Sequence, residues 1–234
     1  MFPDPLDAVL FDAGGTLVHL DYAWMARVAR ARGVELAEAA LRRAEAASRL
    51  AIDAHSRATG SVTGTDANRR EGYFANLLRA AGVSAERVRE IVADLEQVNL
   101  EANLWRVPLE QAAETLAGLR ARGLRTAVVS NADGRVEALL HETGLGAHLE
   151  LVVDSHYEGI EKPDPAIFER ALARMGVRAE RAVYVGDIYA IDVVGARAAG
   201  LSPILIDSVG AYPNADCPRI SRLGELLDRL PRRA

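Results

Sequence analysis

The stretch Ala8-Val9-Leu10-Phe11-Asp12-Ala13-Gly14-Gly15-Thr16 decides the fold class of this chain. Four apolar residues in a row, followed by an aspartate and, after one alanine, by two glycines, are typical of a short buried strand that runs into a tight turn. A strand without polar alternation has both of its faces covered, as in parallel sheets. The stretch therefore predicts the first strand of an α/β domain.

The second half of the chain repeats this pattern of a short apolar run that ends at a polar residue. The runs cover residues 125–129, 149–153, 182–185 and 203–206, and they end at Ser130, Asp154, Gly186-Asp187 and Asp207. Between them, helical patterns that each stop before a glycine cover residues 109–122, 136–143, 167–175 and 190–199. This alternation predicts a three-layer, Rossmann-like α/β core with a mainly parallel sheet and helices on both faces.

Residues 20–104 break this alternation, because their apolar residues recur at helical spacing. On the first helix, Trp24, Val28 and Ala31 share one face. A long second helix is supported by pairs of opposite charge four residues apart, and the last helix begins at a capping serine. These residues are Glu38 with Arg42, Glu45 with Arg49, and Ser84. A loop is expected at 59–65. We therefore predict an all-helical insertion, 20–104, in a core formed by residues 1–19 and 105–234.

Composition and charge exclude several classes of protein. The chain has 234 residues and a net charge of −5, which argues against a basic nucleic-acid-binding surface. Cys217 is the only cysteine, so neither an internal disulfide nor a cysteine-rich zinc site is expected. The first seven residues lack the pattern of a signal peptide, and no apolar run is long enough for a membrane span. We expect a cytoplasmic monomer or homodimer without nucleic-acid or membrane partners.

The polar residues at the strand ends are candidates for a functional site, since ligands of open α/β sheets bind at the carboxyl ends of the strands. Asp12, Ser130, Asn131 and Asp187 follow three different strands, and Lys162 and Asp192 lie in or near the loops. Carboxylates beside a hydroxyl and an ammonium suit a phosphate site with a hard divalent cation. Lys162 is the only lysine among 28 basic residues, and a compact ammonium there is not easily replaced by arginine.

At these residues the sequence resembles the haloacid dehalogenase superfamily of phosphotransferases. The resemblance rests on four motifs that occur in the family's order along the whole chain. They are Phe11-Asp12-Ala13-Gly14-Gly15-Thr16-Leu17, Val128-Val129-Ser130-Asn131, Glu161-Lys162-Pro163-Asp164-Pro165, and Val185-Gly186-Asp187-Ile188-Tyr189-Ala190-Ile191-Asp192 with Gly195-Ala196. The helical insertion resembles the family's α-helical cap, which closes over the site and chooses the substrate.

The resemblance implies a Mg²⁺-dependent phosphatase that acts on a small phosphorylated metabolite. By this resemblance Asp12 is expected to attack phosphorus and become an aspartyl phosphate, and Asp12, the carbonyl of Gly14 and Asp187 are expected to hold Mg²⁺. Ser130, the amide of Asn131 and Lys162 hold the transferring oxygens. The expected place of Asp192 is behind these groups, where it orients Lys162 or a metal-bound water.

The chain departs from the family pattern at Gly14, where most phosphatases of the family carry a second aspartate that protonates the leaving group. Dehalogenases of the family also lack it, but they work without metal and differ at Gly186-Asp187. A phosphonate hydrolase that lacks it uses an additional cap lysine, which this chain does not have. The alternatives to a phosphatase are thus a 2-haloacid dehalogenase-type hydrolase and a catalytically silent protein that binds a phosphorylated ligand.

Several further residues are weaker candidates. In the predicted cap they are Trp24, Asn68, Arg69, Arg70 and Tyr73. Aromatic residues at helical spacing are more often core, and neighbouring arginines suit either a second anionic group or a solvated face. His19 and His55 are possible proton donors, but we expect them on a surface loop and on a helix surface.

Overall fold

The structure is a computed structural model that describes residues 3–59 and 66–231, with the side chains of residues 59 and 66–71 outside that description. Its strands are β1 (Ala8–Phe11), β2 (Val18–His19), β3 (Val107–Pro108), β4 (Arg125–Ser130), β5 (Leu151–Asp154), β6 (Ala182–Gly186), β7 (Ser202–Ile206) and β8 (Arg219–Ile220). Its helices are α1 (Tyr22–Ala31), α2 (Glu38–Thr59), α3 (Asp66–Ala80), α4 (Ala85–Ala102), α5 (Ala112–Ala121), α6 (Val136–Glu142), α7 (Ser155–Glu158), α8 (Pro165–Met175), α9 (Val194–Ala198) and α10 (Glu225–Arg229).

Six strands form one sheet in the order β5-β4-β1-β6-β7-β8, and every pairing in it is parallel. The central strand β1 lies between β4 and β6, with Phe11 opposite Val128 on one side and Val185 on the other. The predicted α/β fold class with a parallel sheet is confirmed. β2 and β3 form a separate two-stranded sheet.

The strand residues are apolar because both faces of the sheet are buried. Leu10 and Val129 point to the face on which α8 packs its Phe168, and all three side chains are fully buried. Successive strand residues point to opposite faces, so Val9 and Val183 lie on the other face, where they are also fully buried. A continuous apolar run is what burial on both faces requires.

The chain divides into two compact units, one formed by Met1–His19 with Pro108–Ala234 and the other by Leu20–Val107. The first unit holds the six-stranded sheet, and the second holds α1 to α4. The domain boundaries expected from the sequence, at 19/20 and 104/105, stay a prediction. Within the described residues, none of the helices combines the length and the hydropathy that crossing a membrane would demand.

The helical unit has its own core, which includes Met25, Leu41, Leu77 and Ile91. The predicted apolar face of α1 is wrong at one position, because Ala31 is exposed. The buried residues of α1 are Tyr22, Met25 and Ala29, while Trp24 and Val28 are partly buried. Ser84 stands at the N-cap of α4, but its side chain makes no capping hydrogen bond.

Glu45 is buried in the structure, although its sequence pattern is typical of a charge pair on a helix surface. It forms the expected pair with Arg49, at 3.4 Å, and it also accepts hydrogen bonds from the hydroxyls of Tyr22 and Tyr73. Two neutral donors and one cation therefore satisfy a carboxylate that is only 1% exposed. The predicted loop at 59–65 lies almost wholly outside the described residues.

The second half follows the predicted alternation, with two differences. The strand expected at 149–153 is β5 (Leu151–Asp154), and the helix expected at 190–199 is split into a π-helical turn at Tyr189–Val193 and the short α9. The sequence reading also missed α7, α10 and β8. All three are five residues or shorter, too short for a periodic pattern to identify.

Candidate active site

The functional candidates of the core unit meet at the carboxyl edge of the sheet. Asp12 follows β1, Ser130 is the last residue of β4, and Asp187 follows β6. After β1 the chain moves to β4 and β5 on one side and then returns to β6 on the other, which makes this edge the switch point of the sheet. The amide of Asp12 donates to the carbonyl of Val185 at 2.8 Å and so ties the β1 end to β6.

Lys162 lies at the centre of this group, and its side chain is only 2% exposed. Its ammonium donates to Asp12 Oδ1 and to Asp192 Oδ1, both at 2.7 Å. A third hydrogen bond runs to the hydroxyl of Tyr184 at 2.8 Å. An ammonium has three protons, and these three acceptors use all of them.

Asp192 holds the chain around the site by both of its carboxylate oxygens. Oδ1 accepts from Lys162, and Oδ2 accepts from the backbone amides of Asp187 at 3.0 Å and Ile188 at 2.9 Å. Gly186 makes this approach possible, because a Cβ at that position would lie 2.3 Å from Asp192 Cγ. Position 186 therefore needs a glycine because a side chain there would collide with Asp192, and not because of an unusual backbone conformation.

Asn131 fixes the backbone of Lys162 by two hydrogen bonds. Its Nδ2 donates to the Lys162 carbonyl at 2.9 Å, and its Oδ1 accepts from the Lys162 amide at 2.7 Å. The sequence pointed to the backbone amide of Asn131 and did not foresee this role of the side chain. The pairing joins the end of β4 to the loop that carries the lysine.

Three buried carboxylates share this edge with one ammonium. Asp12, Asp187 and Asp192 each offer an oxygen within 4.8 Å of the others. Because carboxylate oxygens are the ligands of Mg²⁺ and like charges repel when buried, the donor set fits a hard divalent cation. The Gly14–Val18 bridge is made by the amides of Gly15 and Val18 and does not use the carbonyl of Gly14.

Burial and neighbouring charges set the proton affinities in the site. Burial raises the pKa of the Asp12 carboxyl, against the opposing effect of Lys162. Burial alone would lower the pKa of Lys162, but the charges of Asp12 and Asp192 outweigh it and raise that pKa. Burial and the Asp192 charge hold the pKa of Tyr184 well above its usual value, so the hydroxyl keeps its proton.

Tyr184 is the residue around the Lys162 ammonium that the sequence analysis did not predict. It belongs to the apolar run 182–185, and its ring packs edge-on against Phe168, with centroids 4.9 Å apart. The available signal was a hydroxyl-bearing residue inside a strand that is otherwise Ala, Val and Gly. A fully buried tyrosine hydroxyl needs a partner.

The weaker candidates lie elsewhere. Trp24 and Tyr73 belong to the helical unit, where Trp24 stacks with Arg27 and Arg106, and Tyr73 donates to Glu45. The side chains of Asn68, Arg69 and Arg70 fall outside the described residues. His19 is the last residue of β2 and is half-buried, contrary to the surface loop expected for it, and His55 is exposed on α2.

A protein-family model described as haloacid dehalogenase-like hydrolase matches residues 6–200. The chain belongs to this family. The family resemblance predicted from the four motifs is therefore confirmed. The match includes all of the site residues described above and the whole helical unit.

Relatives within the haloacid dehalogenase-like hydrolases include haloacid dehalogenase-like hydrolase domain-containing protein 3 of Mus musculus. It is 42% identical over 129 residues, which cover 55% of this chain and 51% of that protein. Phosphoserine phosphatase of Thermus thermophilus is 41% identical over 141 residues, or 59% of this chain and 54% of that protein. The chain thus spans about half the length of the curated relatives it matches.

The family's solved structures share the fold over nearly the whole chain. The crystal structure of a dehalogenase has a TM-score of 0.68 at 24% identity and covers 97% of this chain and 98% of its own. At this level of identity the likeness concerns the fold alone.

Proposed function

We propose that the protein is a Mg²⁺-dependent phosphatase that acts on a small phosphorylated metabolite through an aspartyl phosphate at Asp12. The observation that carries this proposal is the buried group at the sheet edge, where the Lys162 ammonium lies 2.7 Å from Asp12 and from Asp192. A nucleophile, a cation for phosphoryl oxygens and a carboxylate set for a metal stand together, as phosphoryl transfer requires.

In the first half of the reaction a carboxylate oxygen of Asp12 forms a bond to phosphorus, and the bond from phosphorus to the ester oxygen breaks. Ser130 stabilises the charge on the transferring oxygens by a hydrogen bond, and Lys162 stabilises it by its positive charge. In the second half, water attacks phosphorus, inorganic phosphate leaves and the Asp12 carboxylate is regenerated. Asp192 takes no part in bond making and holds Lys162 and the amides of Asp187 and Ile188 in place.

Asp12, Asp187 and the Gly14 carbonyl are the groups that would hold Mg²⁺. Both oxygens of Asp192 already accept hydrogen bonds, which leaves it in a supporting role. When bound, the cation neutralises the negative charge of the phosphoryl group and the carboxylates. Its positive charge also favours the ionised form of Asp12, the form that attacks phosphorus.

The absence of a general-acid carboxyl at Gly14 limits the phosphate esters that this site can hydrolyse efficiently. Without a carboxyl at this position the departing alcohol takes its proton from water or from the substrate itself. General acid help is worth about 10²–10⁴ in rate, so substrates with good leaving groups are favoured.

Named relatives support a small phosphorylated substrate. Besides the phosphoserine phosphatase, they include the glyceraldehyde 3-phosphate phosphatase of Methanothermobacter thermautotrophicus, which is 41% identical over 105 residues. Both names describe hydrolysis of a phosphate ester on a small metabolite. A cytoplasmic location without nucleic-acid or membrane partners belongs to the same proposal. The net charge of −5 argues against a nucleic-acid partner.

The test is a screen of phosphorylated metabolites and of p-nitrophenyl phosphate, with Mg²⁺ and with EDTA. We expect phosphate release that needs Mg²⁺ and falls at least about 10³-fold in Asp12→Asn, because the amide is not a nucleophile. Asp228→Asn, at an exposed position of α10, is the matched control and should keep wild-type activity. Full Mg²⁺-dependent activity in Asp12→Asn would overturn the aspartyl-phosphate mechanism.

Gly14 also favours a second candidate, a 2-haloacid dehalogenase-type reaction, because displacement of halide needs no proton donor. Asp12 would then form a bond to carbon as the carbon–halogen bond breaks and halide leaves. Chloride release from a 2-chloro acid that persists in EDTA would identify this activity. The absence of turnover of any ester, together with the absence of a beryllofluoride adduct on Asp12, would instead identify a silent binding protein.

A further inference from the structure

The hydroxyl of Tyr184 is the one neutral acceptor for the Lys162 ammonium. Its oxygen lies 2.8 Å from Lys162 Nζ, 2.9 Å from the Val129 carbonyl oxygen and 3.3 Å from Asp192 Oδ1. The side chain is fully buried, and Tyr184 lies three residues before Asp187 on a strand that ends at the site.

The direction of the single hydroxyl proton follows from these contacts. A carbonyl oxygen only accepts, so the short contact with Val129 takes the proton of Tyr184. An ammonium only donates, so Lys162 meets a lone pair of the same oxygen. The main chain of β4 thus orients the hydroxyl, and the hydroxyl in turn receives the third proton of the lysine.

The two carboxylates alone leave one ammonium proton without an acceptor. A buried donor that loses its acceptor keeps its full desolvation cost, and the group turns to regain a partner. For Lys162 such a turn would change the distance to Asp12. Asn131 holds the backbone of the lysine, and the hydrogen bonds of the ammonium hold the end of its long side chain.

We propose that Tyr184 is a positioning residue that holds the Lys162 ammonium between Asp12 and Asp192 for phosphoryl transfer. The proposal rests on the proposed function for its effect on turnover, and on the hydrogen bonds of Tyr184 for its effect on the lysine. Tyr184→Phe isolates the hydroxyl, because it keeps the ring and its packing against Phe168.

Lys162 is the only lysine, so protein labelled with ¹⁵N-lysine gives a single side-chain ammonium signal. We expect the ammonium protons of Tyr184→Phe to exchange with water at least about tenfold faster than those of the wild type. At saturating Mg²⁺ we expect kcat to fall about tenfold with KM within about twofold, as suits the loss of one hydrogen bond to a charged group. Tyr212→Phe, at another largely buried tyrosine of the same unit, is the control that changes neither.

Unchanged exchange in Tyr184→Phe would overturn the proposal, and so would faster exchange with unchanged kcat. If the wild type hydrolyses no phosphate ester, the proposed function fails, while the exchange rates still decide whether Tyr184 holds the lysine. Should Tyr184→Phe not fold, 3-fluorotyrosine at position 184 weakens the acceptor without removing it. Faster exchange of the ammonium protons and a lower kcat, both smaller in size than in Tyr184→Phe, then support the proposal. Wild-type exchange and wild-type kcat overturn it.

Discussion

At the scale of single residues, Gly14 separates this chain from the usual pattern of its family. Gly15 has a φ of 76°, in the region that favours glycine, whereas the φ of Gly14 lies outside that region. The turn after β1 therefore needs a glycine at position 15 but not at position 14. The missing carboxyl is a chemical property of this site and not a consequence of the backbone.

Gly14→Asp should therefore restore a general acid. We expect kcat for an alkyl phosphate to rise at least about tenfold, and kcat for p-nitrophenyl phosphate to change little, because nitrophenolate leaves without protonation. The measurement is steady-state phosphate release from both substrates at saturating Mg²⁺. Gly14→Ala, which adds a Cβ without an acid, is the control. Equal effects on both substrates would show that proton transfer does not limit the rate.

At the scale of elements, the end of β6 and the π-helical turn after it act as one piece. Asp192, inside the turn, folds back onto the amides of Asp187 and Ile188 and contacts the place where a side chain on Gly186 would lie. π-helical turns are often found at functional sites. Here the turn brings a carboxylate within hydrogen-bond distance of both the strand end and the lysine.

Gly186→Ala tests this coupling. The added methyl meets Asp192 at its Cβ and Cγ, so we expect a loss of about 1–3 kcal/mol in the free energy of unfolding and a large fall in kcat. Urea denaturation and steady-state kinetics measure the two effects. Gly72→Ala in α3, where nothing lies within 4 Å of the new Cβ, is the matched control and should be neutral or stabilising. A Gly186→Ala variant with wild-type kcat would contradict the role given to Asp192.

At the scale of the whole molecule, the buried charges of the site affect the free energy of unfolding. Three carboxylates against one ammonium leave an excess of negative charge in a buried place, which opposes folding and which the proposed cation would offset. A ligand that binds only the native state stabilises it by mass action. The helical unit has a separate core and a separate buried carboxylate, Glu45, and holds none of these groups.

Mg²⁺ should therefore stabilise the wild type against heat. At ten times its Kd the gain is about 1.4 kcal/mol, or about 3–5 °C in Tm for a protein of this size. Circular dichroism during heating, with MgCl₂ and with EDTA, measures the shift. We expect Asp187→Asn to lose most of it and Asp228→Asn to keep it. An equal shift in Asp187→Asn would place the cation elsewhere.

Sequence patterns alone were enough to predict the α/β class, the change of pattern at residue 20 and the residues that end the strands. These depend on local periodicity and on turn chemistry, which act over a few neighbouring residues. The tertiary structure alone decided that Tyr184 and Asn131 hold Lys162 and that Glu45 is buried with two tyrosines. Asp12 and Lys162 are 150 residues apart, and Asn131 and Lys162 are 31 apart. Contacts over such separations depend on how strands and loops pack in space, and no local pattern records which side chains will meet.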